Sequence, residues 1–377
     1  MKNTITSATC IIGLLFLQQT AQAQSPQDCQ VIQNLINKAA QKKSAEPVEV
    51  RVPEGDYLCK KPIIINQSNL KIIGANQNVR LKIADKKNIP AIIIGSEKTQ
   101  WDAKANDFVT PYRVHHVEVD GFKVDGNKEN QSDECWNGHL QKSKKDKTPR
   151  GCTDTGESAI RNNGITIRGA DHIRVANVVL NNTRSGGLVT EKNCHDLVIE
   201  NMTAENNFFD GFAGYQTVNS VIRKSRLSNN NGAGASLDID YSHNRFEDVD
   251  FVNNAHQGIF ARGLQGLTCD HCTIDGSGQQ GIFLANSSVK PCPSEVRILN
   301  STIKGSGRLK KDEGHGIRLN DLDCEDTCVR NTNFSKNIAG DVSIAGKEDA
   351  SVAGIQCKDS AKTKSNGGPE IDGKGTQ

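Results

Sequence analysis

Apolar and polar residues alternate in short runs along most of this chain, and the runs recur. "GITI" at Gly164, "GLVT" at Gly187, "GFAG" at Gly211, "GASL" at Gly234, "GIFA" at Gly258 and "GIFL" at Gly281 each open on a glycine, at intervals of 23 or 24 residues. "GIRL" at Gly316 follows after 35, which predicts a long loop in that turn. A second column keeps step: Asn182, Asn206, Asn230 and Asn254, then Ser277, with Val179, Thr203, Leu227, Phe251 and Ile274 three residues before them. Within a unit the period is two, as where Leu197 and Ile199 alternate with polar neighbours, and no helical pattern intervenes.

A fixed period of this length means stacked units, none of which can bury its apolar face alone. Short strands separated by turns predict an all-β chain coiled as a parallel β-helix. One unit forms one rung, and equivalent residues of successive rungs lie about 4.8 Å apart. The asparagine column is then structural, because a buried turn leaves backbone groups that a side-chain amide can pair. Asparagine also tolerates left-handed backbone angles.

The ends depart from the repeat. "SPQDCQVIQNLINKAA" predicts a short capping helix, with Ser25 as cap, Pro26 at the first helical position, Asp28 in the first turn, and Val31, Leu35, Ile32 and Ile36 at four-residue spacing. Strands "VEVRVPEG" and "LKIIGAN" begin the coil. A Lys-rich segment over residues 127–158 reads as an excursion loop inside one β-helix domain of residues 24–357. Residues 358–377 are polar and Gly-rich, the composition of a disordered tail. Residues 1–23 read as a secretory signal: Lys2, the apolar "IIGLLFL" and a final "AQA". That apolar run is too short to span a bilayer.

Export would make disulfides the expected state of the cysteines. Of the 12 cysteines Cys10 falls in the leader, so an odd number remains and at least one thiol stays free or pairs between chains. Cys29 with Cys59 and Cys135 with Cys152 are the expected pairs, and Cys269-x-x-Cys272 lacks the second pair a zinc site needs. A net charge of +2 gives no footprint for nucleic acid or a membrane surface.

"GDYLCKKPIIINQSNLKIIGAN", "VDGFKVDGN" at Val119 and the Gly and Asn repeats resemble the right-handed parallel β-helix proteins of the pectate-lyase-like superfamily over residues 48–356. "NNFFDGFAGYQTVNSVIRKSRLSNNNGAG" is similar to rungs of mannuronan C5-epimerase modules, although their Asp-Pro-His motif is absent. "GHG" at Gly314 is similar to polygalacturonases, whose Asn-Thr-Asp and paired-Asp motifs are also absent. The resemblance implies a right-handed coil and a polysaccharide partner. It transfers no catalytic residue, and a shared fold does not fix function.

The residues suggest a site of their own. Counting from each rung's glycine, offsets one and three point inward, and offsets two and four outward. Offset four reads Arg168, Glu191, Tyr215, Asp238, Arg262, Ala285 and Asn320; offset five adds Lys192 and Gln216. Asp240 and Tyr241 follow Asp238 at the same edge. The expected catalytic set is Tyr215, Asp238, Asp240, Arg262 and Lys192, with Glu191, Tyr241, Trp136, His315 and Arg318 as substrate contacts. Asp238 and Asp240 are also candidate Ca²⁺ ligands.

Taking the proton beside a uronate carboxylate needs a cation, a base and an acid. Arg262 or Lys192 would be the cation, and Tyr215 or Tyr241 the base or acid. The expected function is therefore a lyase or epimerase on a uronate-containing polysaccharide, secreted or periplasmic. The alternatives are a glycoside hydrolase, with Asp238 paired to Asp240 or Glu191, and a non-catalytic carbohydrate-binding protein. A surface ladder of ion pairs would explain the same charges without chemistry.

Overall fold

The computed structural model describes residues 25–42, 46–131, 161–286, 292–320, 324 and 326–358, and the backbone alone for 134–136 and 139–141. The residues read as a signal segment, most of those read as an excursion over 127–158 and those read as a tail beyond Lys358 lie outside the described residues.

The rungs stack as the period predicts, and the coil is a right-handed parallel β-helix. Among the described residues, one wall is a ten-stranded parallel sheet running from Ile63–Ile65 to Gly340–Ile344. Its central strands are Ile165–Arg168, Leu188–Glu191, Phe212–Tyr215, Ala235–Asp238, Ile259–Arg262 and Ile282–Ala285. Phe212 pairs with Ala235, Ala235 with Ile259 and Ile259 with Ile282, all of them buried. A larger sheet forms the remaining walls, with long strands such as Ala170–Asn181 and Cys194–Glu205. These strands turn a corner at Asn177, Asn201, Lys224 and Asp248, all with positive φ near 50°.

Two jobs assigned to one asparagine column belong to adjacent columns. Asn182, Asn206, Asn229 and Asn253 take left-handed angles at the turn. The buried amide ladder lies one residue later, at Asn207, Asn230 and Asn254. Asn230 Oδ1 accepts from Asn207 N at 3.1 Å and Asn207 Nδ2 at 3.0 Å, and Asn254 Oδ1 does the same for Asn230. The even 24-residue spacing crosses from one column to the other. Likewise Thr203 pairs with Arg226, not Leu227, so the inward column is Leu180, Ala204, Leu227 and Phe251.

The capping helix starts later than expected, at Gln30, and runs to Ala40. Gln27 and Asp28 pair instead with Tyr57 and Leu58, which holds Ser25 and Pro26 out of the helix. Asp28 Oδ1 accepts the first free amide, Gln30 N, at 2.9 Å. Ile32, Ile36 and Ala39 close the open end of the coil. The extra residues of the 35-residue rung are divided between two turns, Ala285 to Ser294 and Lys304 to His315.

Disulfides join Cys29 to Cys59, Cys269 to Cys272, Cys292 to Cys324 and Cys328 to Cys357. The pairing of Cys152 lies outside the described residues. Among the described cysteines Cys194 is the free thiol; it is buried, and burial pushes its pKa up to about 11.

Candidate functional site

Offset four of the ten-stranded sheet forms one row on the outer face. Arg168 pairs with Glu191 and Tyr215 with Asp238 in the strand register. Arg168, fully buried, donates from Nε and Nη2 to Glu191 Oε1 at 2.8 and 2.5 Å. Arg262 Nε lies 3.2 Å from both Asp238 oxygens, and its Nη2 also donates to Oδ2. The hydrogen bond to Asp238 holds the Arg262 pKa above its ordinary value.

Tyr215 stands between these two ion pairs. Burial drives its hydroxyl pKa well up, and the negative charges of Asp210, Asp238 and Glu191 add to that; Arg161 acts the other way. Asp210, the position before the rung glycine Gly211, is close enough to Tyr215 for its charge to act on the phenol. Burial raises its carboxyl to about 7, against the hydrogen bond that Asp210 Oδ1 accepts from Ala233 N at 2.7 Å. The site thus holds a carboxyl that titrates near neutrality beside a phenol that stays protonated.

A hairpin absent from the repeat frames one edge. Gln100–Asp102 and Asp107–Val109 pair antiparallel, and Asp107 Oδ1 lies 3.2 Å from Lys192 Nζ. Gln216 Nε2 donates to Asp107 Oδ2 at 3.2 Å. Burial opposes ionisation of Asp107, yet its hydrogen bonds from Gln216 and Lys192 hold the pKa below the usual carboxylate value. Lys192 is therefore committed to Asp107.

The outer face also carries an aromatic strip at offset two. Phe260 and Phe283 pair in register with ring centroids 5.9 Å apart. Arg262 lies over Phe260 at 5.8 Å and Arg318 over Phe283 at 5.5 Å. Arg318 thus continues the face, three rungs from Asp238, through the rings. His315 opens the strand His315–Leu319 in the same position before the glycine as Asp210, four rungs on. Burial, then Arg318, lowers its pKa.

One expectation is corrected and two lose their support. Tyr241 is buried in the core, 5.7 Å from the Phe212 ring, and does not reach the outer face. Two-residue alternation no longer places Asp240 on the face of Asp238, because the strand ends at Asp238 and Ile239 and Asp240 both have positive φ. The expected Ca²⁺ pair loses the same support. Both Asp238 oxygens are taken by Arg262, and no group of three His, Cys, Asp or Glu among the described residues is arranged to hold a metal. Trp136 lies in the short hairpin Glu134–Trp136 with His139–Gln141, and its side chain is outside the described residues.

Asp210, Asp107, Arg161, Phe260 and Phe283 stand outside the row that the rung spacing nominates. Phe260 and Phe283 left a signal, an aromatic at the same outward offset in consecutive rungs. Asp210 left a weaker one, a polar residue before the rung glycine, as at Asn163, Gln257 and Gln280. Asp107 left none, because its hairpin has no place in the repeat.

The coil with this decorated wall defines the class, a right-handed parallel β-helix. Residues 163–321 match the family model for the right handed beta helix region. No curated protein matches the chain in sequence. Among solved structures it is similar to the Azotobacter vinelandii mannuronan C-5 epimerase AlgE4 A-module, at 14% identity and a TM-score of 0.53, covering 86% of this chain and 95% of that one. The enzymatically active domain of Bacteriophage CBA120 tailspike protein 2 aligns at 12% identity and a TM-score of 0.54, over 83% of this chain and 43% of that one. The Agl-KA catalytic domain aligns at 14% identity and a TM-score of 0.53, over 86% and 66%. At these identities the likeness is one of fold.

Proposed function

We propose that the protein is a polysaccharide-active enzyme that acts by proton transfer on a uronate-containing chain, as a lyase or epimerase. The observation that carries this reading is Asp210, a carboxyl raised to about 7 beside Tyr215. A general base works best when its pKa lies near the working pH. Asp210 takes the proton from the carbon that bears the uronate carboxylate, and Arg161 and Arg262 stabilise the negative charge that builds on it. Tyr215, kept protonated, gives its proton to the departing glycosidic oxygen as the carbon–carbon double bond forms and the carbon–oxygen bond breaks. An epimerase would deliver that proton to the opposite face of the same carbon. The strip Phe260–Phe283 offers flat rings for sugar faces along the wall. The epimerase neighbour's name places it on mannuronan, which agrees with a uronate substrate.

The test is a panel of alginate, pectate and glycosaminoglycan, followed by the ultraviolet absorbance of unsaturated uronate, by reducing ends, and by deuterium uptake from heavy water. Unsaturated product or deuterium uptake, abolished in Asp210→Asn, is the expected result. One observation favours a glycoside hydrolase as the second reading: a raised carboxyl at Asp210 accompanied by the Arg-held carboxylate Asp238 is also the acid and partner of glycoside hydrolysis. Reducing ends without unsaturation would select it. Binding without any product would leave a carbohydrate-binding protein. The four disulfides fit an oxidising compartment, in keeping with export.

A further inference from the structure

The turn Asn206–Gly211 presents two surfaces. It holds Asp210 within electrostatic reach of Tyr215 and puts Phe208 into a separate cleft of about 780 Å³, lined by none of the residues assigned to the Asp210 site. That volume lies in the range of ligand sites. Lys128 and Arg308 open onto the cleft and the buried Arg184 backs it, against one carboxylate, Glu129; Lys128 Nζ also donates to Asn206 O. The Arg184 guanidinium lies over the Phe208 ring at 4.1 Å, so a buried cation and an aromatic face are held together. Arg308 is fixed at the other end by Gly276 O at 3.1 Å and Asn253 O at 3.2 Å. Its neighbour Leu309 is exposed, and the amides of Asn229 and Asn231 line the cleft between the ends.

The cleft runs along the coil. Asp125 pairs with Asn181, Asn181 with Glu205, Glu205 with Ser228 and Ser228 with Val252, which carries the Lys128 end to the Asn253 end in four rung steps. At about 4.8 Å per rung that is roughly 19 Å, the reach of a short oligosaccharide. Cations spaced along a groove suit a chain with repeated anionic groups, since guanidinium binds planar oxyanions in a fixed geometry. The ring of Phe208 and the carboxamides suit sugar faces and hydroxyls.

We infer that this cleft is a binding site for an acidic oligosaccharide segment, one bearing carboxylates or sulfates. It needs no chemistry at Asp210. A catalytically silent protein that binds here keeps this inference and loses the proposed activity, and an active protein whose cleft variants bind unchanged does the reverse.

The experiment is calorimetric titration of the full chain with an oligoguluronate, a heparin oligosaccharide and a neutral cello-oligosaccharide of matched length, at low and high salt. The expected result is binding of an acidic ligand that weakens with salt, drops about tenfold in Arg308→Glu, and drops again on adding Lys128→Glu. The carboxylated and sulfated ligands report which anion is preferred. Phe208→Ala should also weaken binding; if it unfolds the protein, the two surface charge reversals carry the test. Equal binding of the neutral ligand, or no change in the charge reversals, would overturn the inference. Tighter, equally variant-sensitive binding of a single-stranded oligonucleotide would overturn the saccharide assignment.

Discussion

The ring of Tyr241 lies against the backbone of Gly214, one rung away, so closely that a Cβ on Gly214 would meet Tyr241 Cδ2 at 2.4 Å. This contact explains why Tyr241 is a core residue, and why the chain has no side chain at offset three in the rung that carries Tyr215. Gly214→Ala should destabilise the protein by about 1–3 kcal/mol through overpacking, read from urea unfolding. An unchanged midpoint would show that the ring can move aside.

Asp210→Asn should lower turnover by about a hundredfold to ten-thousandfold, the usual weight of one general base. In the wild type the rate should rise with pH through about 7, where Asp210 ionises. Stability carries the opposite sign. The folded pKa is raised, so the contribution of protonated Asp210 is full below the ordinary value of 3.8 and is lost as pH rises through about 7. Asp210→Asn should therefore melt higher than wild type above neutral pH. A pH–rate profile lacking that limb would remove Asp210 from the mechanism.

Asp238 and Arg262 should behave as a unit. Asp238→Asn and Arg262→Gln each lower activity, and the double variant should be little worse than either single one. The expected coupling exceeds about 0.5 kcal/mol. Strict additivity in the four-variant cycle would mean that their contact does not matter to the reaction.

Asn230 ties its own rung to the rungs on both sides. It accepts from Asn207 N and Nδ2, and donates from its own Nδ2 to Ala204 O at 3.2 Å and to Asn254 Oδ1. Asn230→Ala leaves several buried groups unpaired and should cost at least about 2 kcal/mol, with Asn230→Asp a partial rescue of the acceptor alone. Calorimetric melting of both variants checks this.

His116 stacks on His172 with centroids 4.9 Å apart and touches His115, with Asp171 nearby. Burial, then His172 and His115, lowers its pKa below 6.5, and Asp171 opposes them. Its neutral form is favoured on folding, so this contribution is present above 6.5 and lost as pH falls through the lower folded value. His116→Asn keeps a residue suited to the positive φ of 54° and should flatten the acid side of the stability curve. An unaltered acid limb, measured by melting temperature against pH, would clear His116.

The coil itself was legible because each rung repeats the same local rule. Apolar residues at offsets one and three, a glycine at the rung start and an amide at the turn recur at 23 or 24 residues, and stacking turns that period into vertical neighbours. Arg168 beside Glu191 and Asp238 between Tyr215 and Arg262 follow from register alone. The same counting failed at Tyr241, because two left-handed residues, Ile239 and Asp240, end the strand and its two-residue alternation before it.

The sequence by itself determined the rungs, the inward columns and the outward row, since these depend on spacing along the chain. Only the tertiary structure decided which outward residues have their charges changed by burial. It set the Asp210 carboxyl at about 7, locked Lys192 onto Asp107 across 85 positions, and turned Tyr241 into the core. Desolvation and long-range pairing depend on what packs over a side chain, and that is a property of the assembled coil.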